Sequence, residues 1–137
     1  MESKQKVLVV DDDYRITEYL ALVLKAHHYV VRTENNPNRA AGIAESFQPD
    51  LVLLDALMPH KDGGEVAREL RLQPITADTP IVFVTAWSGN SDFGATSAGI
   101  EGRSVLAKPV GPTALIKLVE QKLAVRERQT ASALASA

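Results

Sequence analysis

The sequence predicts an α/β fold, a five-stranded parallel sheet with helices on both faces. Three observations carry this expectation. First, the runs Val7-Leu8-Val9-Val10, Leu51-Val52-Leu53-Leu54, Ile81-Val82-Phe83-Val84 and Ser104-Val105-Leu106-Ala107 are short and nearly continuous in apolar residues. Strands buried on both faces read this way, whereas half-exposed strands alternate. Second, segments of helical period separate the runs, and strands alternating with helices imply parallel pairing. Third, each run ends on groups able to do chemistry: Asp11-Asp12-Asp13, Asp55, Thr85 and Lys108-Pro109. Parallel strands bring those ends to one edge of the sheet, where open α/β sheets bind ligands.

The elements follow in order. After the first strand, Asp13 is a candidate N-cap. Ile16, Tyr19, Leu20, Val23 and Leu24 then recur at helical spacing and mark one apolar face. His27-His28 falls at the turn into a second strand, Val30-Val31-Arg32-Thr33, and reads as solvated. Pro37 suits the first turn of a helix over 37–47. Pro49-Asp50 leads into the strand that ends at Asp55. Asp62 and Glu65 have capping-box spacing, so a third helix should begin near Gly63. Asp78-Thr79-Pro80 punctuates the chain before the Thr85 strand. The stretch from Ser88 to Ser104 contains Gly89, Gly94, Gly99 and Gly102. Each glycine inside a helix costs about 1 kcal/mol relative to alanine, so a short or mobile fourth helix is expected there. Pro112 opens the last helix, whose apolar face is Leu115, Leu118, Val119 and Leu123. The expected unit is one domain over 1–137 with its core in about 5–125; residues 126–137 extend the last helix or fray.

Composition narrows the function classes. The chain has 137 residues, 45% hydrophobic and 23% charged, enough for one well-packed domain. A formal net charge of -2 gives no global attraction to nucleic acid or an anionic membrane. No apolar stretch approaches the ~20 residues of a membrane span, and no signal-peptide core precedes the first strand, so a cytoplasmic location is expected. Cysteine is absent, which excludes disulfides and thiolate metal sites.

The strand-end residues make sense as a set. Taken singly, an acidic turn, a strand-end Thr and a Lys before Pro are all common in loops. Adjacent carboxylates such as Asp11 and Asp12 repel unless a cation lies between them. Hard oxygen ligands favour magnesium, which accepts one or two carboxylates and keeps several waters. Three carboxylates, a magnesium ion and the Lys108 ammonium together are electrically neutral. Phosphorylating Asp55 would raise its negative charge to roughly two at neutral pH. The cation and Lys108 would bear that increase, and Thr85 could donate a hydrogen bond to a phosphoryl oxygen. His60 reads as a plain loop residue rather than a partner contact, and core packing accounts for Trp87 and Phe93 as well as exposure near the site does.

The motifs Val-Leu-Val-Val-Asp-Asp-Asp (7–13), Pro-Asp-Leu-Val-Leu-Leu-Asp-Ala-Leu-Met-Pro (49–59), Asp-Gly (62–63), Val-Thr-Ala (84–86) and Lys-Pro (108–109) occur in an order and spacing that resembles the receiver domains of two-component response regulators. The resemblance covers about residues 5–125. It implies a flavodoxin-like fold with strand order 2-1-3-4-5, and Asp55 as the acceptor of a phosphoryl group from a partner's phosphohistidine. It implies Mg2+ held by Asp12 directly, by Asp11 partly through water, by Asp55 and by the backbone carbonyl of Leu57. Thr85 and Lys108 would hold the phosphoryl group. The implied partners are a histidine kinase or histidine phosphotransfer protein and a downstream protein, with no direct nucleic-acid or membrane contact; weak homodimerisation is compatible with it.

Two positions and the glycine-rich stretch before the last strand depart from the family pattern. Val105 stands where receivers often carry a Tyr or Phe switch, and Val110 where Phe often follows Lys-Pro. Val105 and Trp87 are the candidate switch and output positions. The resemblance also implies that Leu57 and Trp87, two residues beyond the acceptor and beyond Thr85, flank the approach of water to the acceptor. Two other classes compete with the receiver. An aspartyl-nucleophile phosphatase resembling haloacid dehalogenases needs Asp-x-Asp-x-Thr; Asp11 and Asp13 match, but Arg15 replaces the Thr, and Leu57 stands where the second Asp would follow Asp55. A pseudo-receiver that works without phosphorylation usually lacks the acidic pair, the acceptor or the lysine, and all are present.

Overall fold

A computed structural model describes residues 4–86, 95–96, 99–100 and 104–135. The first strand, β1 (Lys6–Val10), is followed by α1 (Tyr14–Ala26), β2 (Val30–Glu34), a 3-10 turn (Pro37–Arg39), α2 (Ala40–Phe47), β3 (Leu51–Leu54), α3 (Gly63–Leu72) and β4 (Ile81–Thr85). Two short strands, β5 (Ala95–Thr96) and β6 (Gly99–Ile100), precede β7 (Val105–Ala107) and α4 (Pro112–Ala135). The main sheet has the order β2-β1-β3-β4-β7, every pair parallel. This is the expected 2-1-3-4-5 arrangement, with β7 as its fifth strand.

Alternation along the buried strands divides the core in two. Leu8, Val10, Val52, Leu54, Ile81 and Phe83 face one way, against Ala40 and Ala44 of α2 and Val66, Ala67 and Leu70 of α3. Val7, Val9, Leu51, Leu53, Val82 and Val84 face the other way, against Leu20 and Leu24 of α1 and Leu115, Val119 and Leu123 of α4. Each fully buried aliphatic side chain contributes about 1.5–3 kcal/mol. Two-sided burial is why the strands carry apolar residues at consecutive positions rather than every second one.

Local chemistry sets the helix ends as expected. The Asp13 carboxylate accepts the Arg15 N–H at 2.9 Å, and the Asp62 carboxylate accepts the Glu65 N–H at 2.9 Å. The expected 37–47 helix divides at Ala40 into the 3-10 turn and α2. In α1 the buried stripe is Thr17, Leu20, Ala21 and Leu24, with Ile16 and Val23 partly buried beside it. Tyr19 lies at the margin of that stripe, and its hydroxyl donates to the Val110 carbonyl at 2.8 Å. His27 and His28 are exposed at the end of α1, and His60 is exposed in the loop after β3.

Of the stretch 88–104, where a short or mobile fourth helix is expected, residues 95–96 and 99–100 are not helical. The described part of that stretch forms an antiparallel pair, Ala95 opposite Ile100 and Thr96 opposite Gly99. Glycine lowers helix propensity, and Gly99 pairs in β6 instead. Trp87 and Phe93, and the rest of the glycine-rich stretch, lie outside the described residues. The last helix runs on through residues 126–135. Arg126 anchors its latter half, donating to the Asp78 carbonyl at 3.2 Å and lying 3.8 Å from Asp50. No helix among the described residues is long and apolar enough to cross a membrane.

Candidate functional site

In-register parallel pairing decides where the chemistry gathers. Val10 pairs with Leu54, Leu54 with Phe83, and Thr85 with Ala107. Asp11, Asp55, Thr85 and Lys108 therefore meet at one edge. Asp11, Asp55 and Thr85 are buried, at 2%, 4% and 0% exposure, while Asp12 is exposed. One carboxylate oxygen from each of Asp11, Asp12 and Asp55 falls in a group whose members all lie within 4.8 Å of one another.

Lys108 reaches into this cluster. Its Nζ lies 2.7 Å from Asp11 Oδ2 and 3.5 Å from Asp55 Oδ2. At 2.7 Å the Lys108 ammonium is the partner of the buried Asp11 Oδ2, a charge-assisted contact. The neighbouring carboxylates hold the Lys108 ammonium above the usual lysine range, outweighing the opposite effect of its burial. Burial, followed by the charge on Asp11, pushes the Asp55 carboxyl up to about 6; the Leu57 N–H and Lys108 oppose the rise. Thr85 Oγ1 is buried and finds no hydrogen-bond partner among the described residues.

The backbone fixes these groups in place. The Asp55 N–H donates to the Val10 carbonyl at 2.9 Å, and the Lys108 N–H to the Thr85 carbonyl at 2.8 Å. Asp55 Oδ1 accepts the Leu57 N–H at 3.1 Å, which aims the carboxylate. Asp11 Oδ1 accepts the Asp13 N–H at 2.9 Å. Asp13 itself turns away to cap α1, as its position before the helix predicts.

Two contributions were not legible as such. Gly63 donates its N–H to the Ala56 carbonyl, and a Cβ there would stand 2.3 Å from the Asp55 carbonyl oxygen. The start of α3 thus presses directly on the Asp55 loop, and the Asp-Gly pair was the visible trace of it. Asn35, just past β2, donates to the Asp11 carbonyl at 2.9 Å and to Thr17 Oγ1 at 3.0 Å. The only signal for Asn35 was its place at the end of a strand neighbouring β1. Val105 is half-buried and packs against the core on the α2–α3 side. Leu57 is 50% exposed beside Asp55.

The response regulator receiver domain family matches residues 7–120 of this chain. The phosphate regulon transcriptional regulatory protein PhoB of Pseudomonas aeruginosa is 32% identical over 110 residues, which is 80% of this chain and 48% of PhoB. The chain thus spans about half the length of that relative. The chemotaxis protein CheY4 of Vibrio cholerae superposes with a TM-score of 0.77 at 27% identity, covering 87% of this chain and 98% of CheY4. The receiver domain of the sensor histidine kinase PA1611 of Pseudomonas aeruginosa, solved with a magnesium ion in its active-site cleft, shares the fold: its TM-score is 0.78 at 24% identity, over 89% of this chain and 99% of that domain. The chain belongs to the receiver domain family of two-component response regulators. It is a phosphoryl-accepting signalling module with a flavodoxin-like fold.

Proposed function

We propose that Asp55 is the phosphoryl acceptor, with Thr85 and Lys108 holding the transferred group and Asp11, Asp12, Asp55 and the Leu57 carbonyl binding Mg2+. The observation that carries this reading is the buried Asp55 carboxylate, in reach of Lys108 and gathered with two further carboxylates. The donor set fits a magnesium ion. All its members are hard oxygens, and one carboxylate oxygen from each of Asp11, Asp12 and Asp55 lies within 4.8 Å of the others. Bound there, the ion would neutralise charge on the carboxylates and on the incoming phosphoryl oxygens.

The residues then divide the work. An Asp55 carboxylate oxygen attacks phosphorus in line. The P–O bond forms as the P–N bond to the donor imidazole breaks, and the electron pair leaves on that nitrogen. The Leu57 N–H holds the other Asp55 oxygen at 3.1 Å and orients the attack. Lys108 faces the phosphoryl oxygens, and the Thr85 hydroxyl supplies a hydrogen bond to one of them. The product keeps its extra charge beside an ammonium.

The reading extends to the chain as a whole. Residues 1–137 form one receiver unit with its core in 5–125, and residues 126–135 continue the last helix. A histidine kinase or histidine phosphotransfer protein in the cytoplasm supplies the phosphoryl group, and a downstream protein reads the result. The chain itself catalyses only its own phosphorylation and slow dephosphorylation. With Val105 carrying no ring, Thr85 passes the change to the loop that follows it. No observation favours a receiver that works without phosphorylation.

The test is incubation with Mg2+ and phosphoramidate, followed by intact-mass measurement. One hydroxylamine-sensitive phosphoryl group is expected on the parent and none on Asp55→Asn. Full labelling of that variant would overturn the assignment.

A further inference from the structure

We infer that Asn35 is a positioning residue for the acidic pair, its side-chain amide fixing the Asp11–Asp12 peptide so that both carboxylates face the cation. This rests on the magnesium reading above and adds to it a residue outside the carboxylate cluster.

The geometry is specific. An amide NH2 has two hydrogens to donate. On Asn35 one goes to the Asp11 carbonyl at 2.9 Å and the other to Thr17 Oγ1 at 3.0 Å. Thr17 is buried in the first turns of α1, and its own hydroxyl proton goes to the Tyr14 carbonyl at 3.0 Å. The Asp11 N–H donates in turn to the Glu34 carbonyl at 3.2 Å, at the end of β2. The peptide units on both sides of Asp11 are therefore tied to the chain leaving β2, and Asn35 binds β2, β1 and α1 together at their shared edge.

This matters most for Asp12. The Asp11 carbonyl belongs to the peptide that leads into Asp12, so turning that peptide swings the Asp12 carboxylate. Asp12 is exposed, and core packing does not set its direction as it does for Asp11 and Asp55. The backbone must do so, and Asn35 holds the carbonyl that decides it. Groups that orient metal ligands from behind commonly change metal affinity by about 10- to 100-fold when removed.

The experiment measures Mg2+ binding by calorimetry on the whole chain for the parent, Asn35→Ala, Thr17→Val and the double variant. Urea unfolding in EDTA shows that each is folded, and amide exchange of the metal-free proteins reads the loop. Asn35→Ala should raise the Mg2+ Kd by about tenfold or more. It should also speed exchange of the Asp13 amide, which depends on the placement of Asp11. Thr17→Val should act in the same direction but less. The double variant should bind no more weakly than Asn35→Ala alone, because Thr17 acts through Asn35. A merely structural role would lower the unfolding midpoint and leave the affinity of the folded protein unchanged. A Kd for Asn35→Ala within about twofold of the parent overturns the inference. If Asn35→Ala does not fold, an unchanged Kd for Thr17→Val overturns it instead. A parent that binds no Mg2+ overturns the magnesium reading and this one together, whereas tight parent binding with no loss in the variants overturns this one alone.

Discussion

Asp55→Asn should make the metal-free protein more stable at neutral pH, although it removes the group at the centre of the site. The substitution keeps the shape of the side chain and its ability to accept the Leu57 N–H, and it removes a buried negative charge. Burial and the Asp11 charge hold the Asp55 carboxyl at about 6 in the fold, against an ordinary value of 3.8. Between those values the folded protein keeps a proton that the unfolded chain has lost. Stability therefore falls as pH rises through that window, and the loss is complete above it. At about 1.4 kcal/mol for each pH unit the ceiling is about 3 kcal/mol, and the expected gain of the variant at pH 7 is about 1–3 kcal/mol. Urea unfolding in EDTA at pH 7 and pH 4 measures it. The gain should be present at pH 7 and absent at pH 4, where the parent carboxyl is protonated in the fold. Saturating Mg2+ should shrink the gain, because the ion stabilises only the form with charged ligands. An Asp55→Asn protein no more stable than the parent at pH 7, or equally advantaged at both pH values, would refute the electrostatic account.

Three further outcomes follow from individual contacts. Asp12→Ala should abolish Mg2+ binding in calorimetry, whereas Asp13→Ala should lower stability by about 1 kcal/mol as a lost helix cap and leave binding nearly intact; equal losses of affinity would contradict this division. Gly63→Ala places a Cβ 2.3 Å from the Asp55 carbonyl oxygen, so it should cost about 1–3 kcal/mol and slow phosphorylation. A variant with parent-like stability and phosphorylation rate would show that the α3–Asp55 contact yields freely. Leu57→Asn combined with Trp87→Glu should speed loss of the phosphoryl group, because in receivers these two sequence positions border the in-line approach of water and both parent residues are apolar; decay no faster than the parent's would show that these positions do not control water.

The fold was legible because its signals are local and repeated. Strands buried on both faces must be apolar at consecutive positions, and β1, β3 and β4 are. Helix starts must satisfy free N–H groups, and Asp13 and Asp62 do so. Strand ends carrying Asp11, Asp55, Thr85 and Lys108 had to meet once the sheet was parallel and in register. The glycine-rich stretch before β7 was less legible. With few apolar anchors it carries no strong period, so its place after a strand suggested a helix where β5 and β6 pair instead. Tyr19 counted as a core position by spacing alone, yet the structure uses its hydroxyl to hold the loop beyond Lys108. Asn35 could not be picked out, because a polar residue in a turn resembles any other until the partner of its amide is known.

The two kinds of residue differ in what selects them. Core positions answer to transfer of apolar surface from water, which depends on each side chain and leaves a mark at each position. The edge positions answer to one another. The Asp55 carboxylate is costly to bury and costlier beside Asp11, and the rise of its carboxyl to about 6 expresses both, burial first. The arrangement persists because β1 and β3 are fixed by the two cores on either side, which leave their ends no freedom to separate. A site under such tension gains most from whatever adds positive charge or spreads negative charge over more donors, and cation binding and contact with Lys108 both do so. Relief of the tension by Asp55→Asn should therefore strengthen the fold while removing the acceptor, and both effects would come from the same carboxylate.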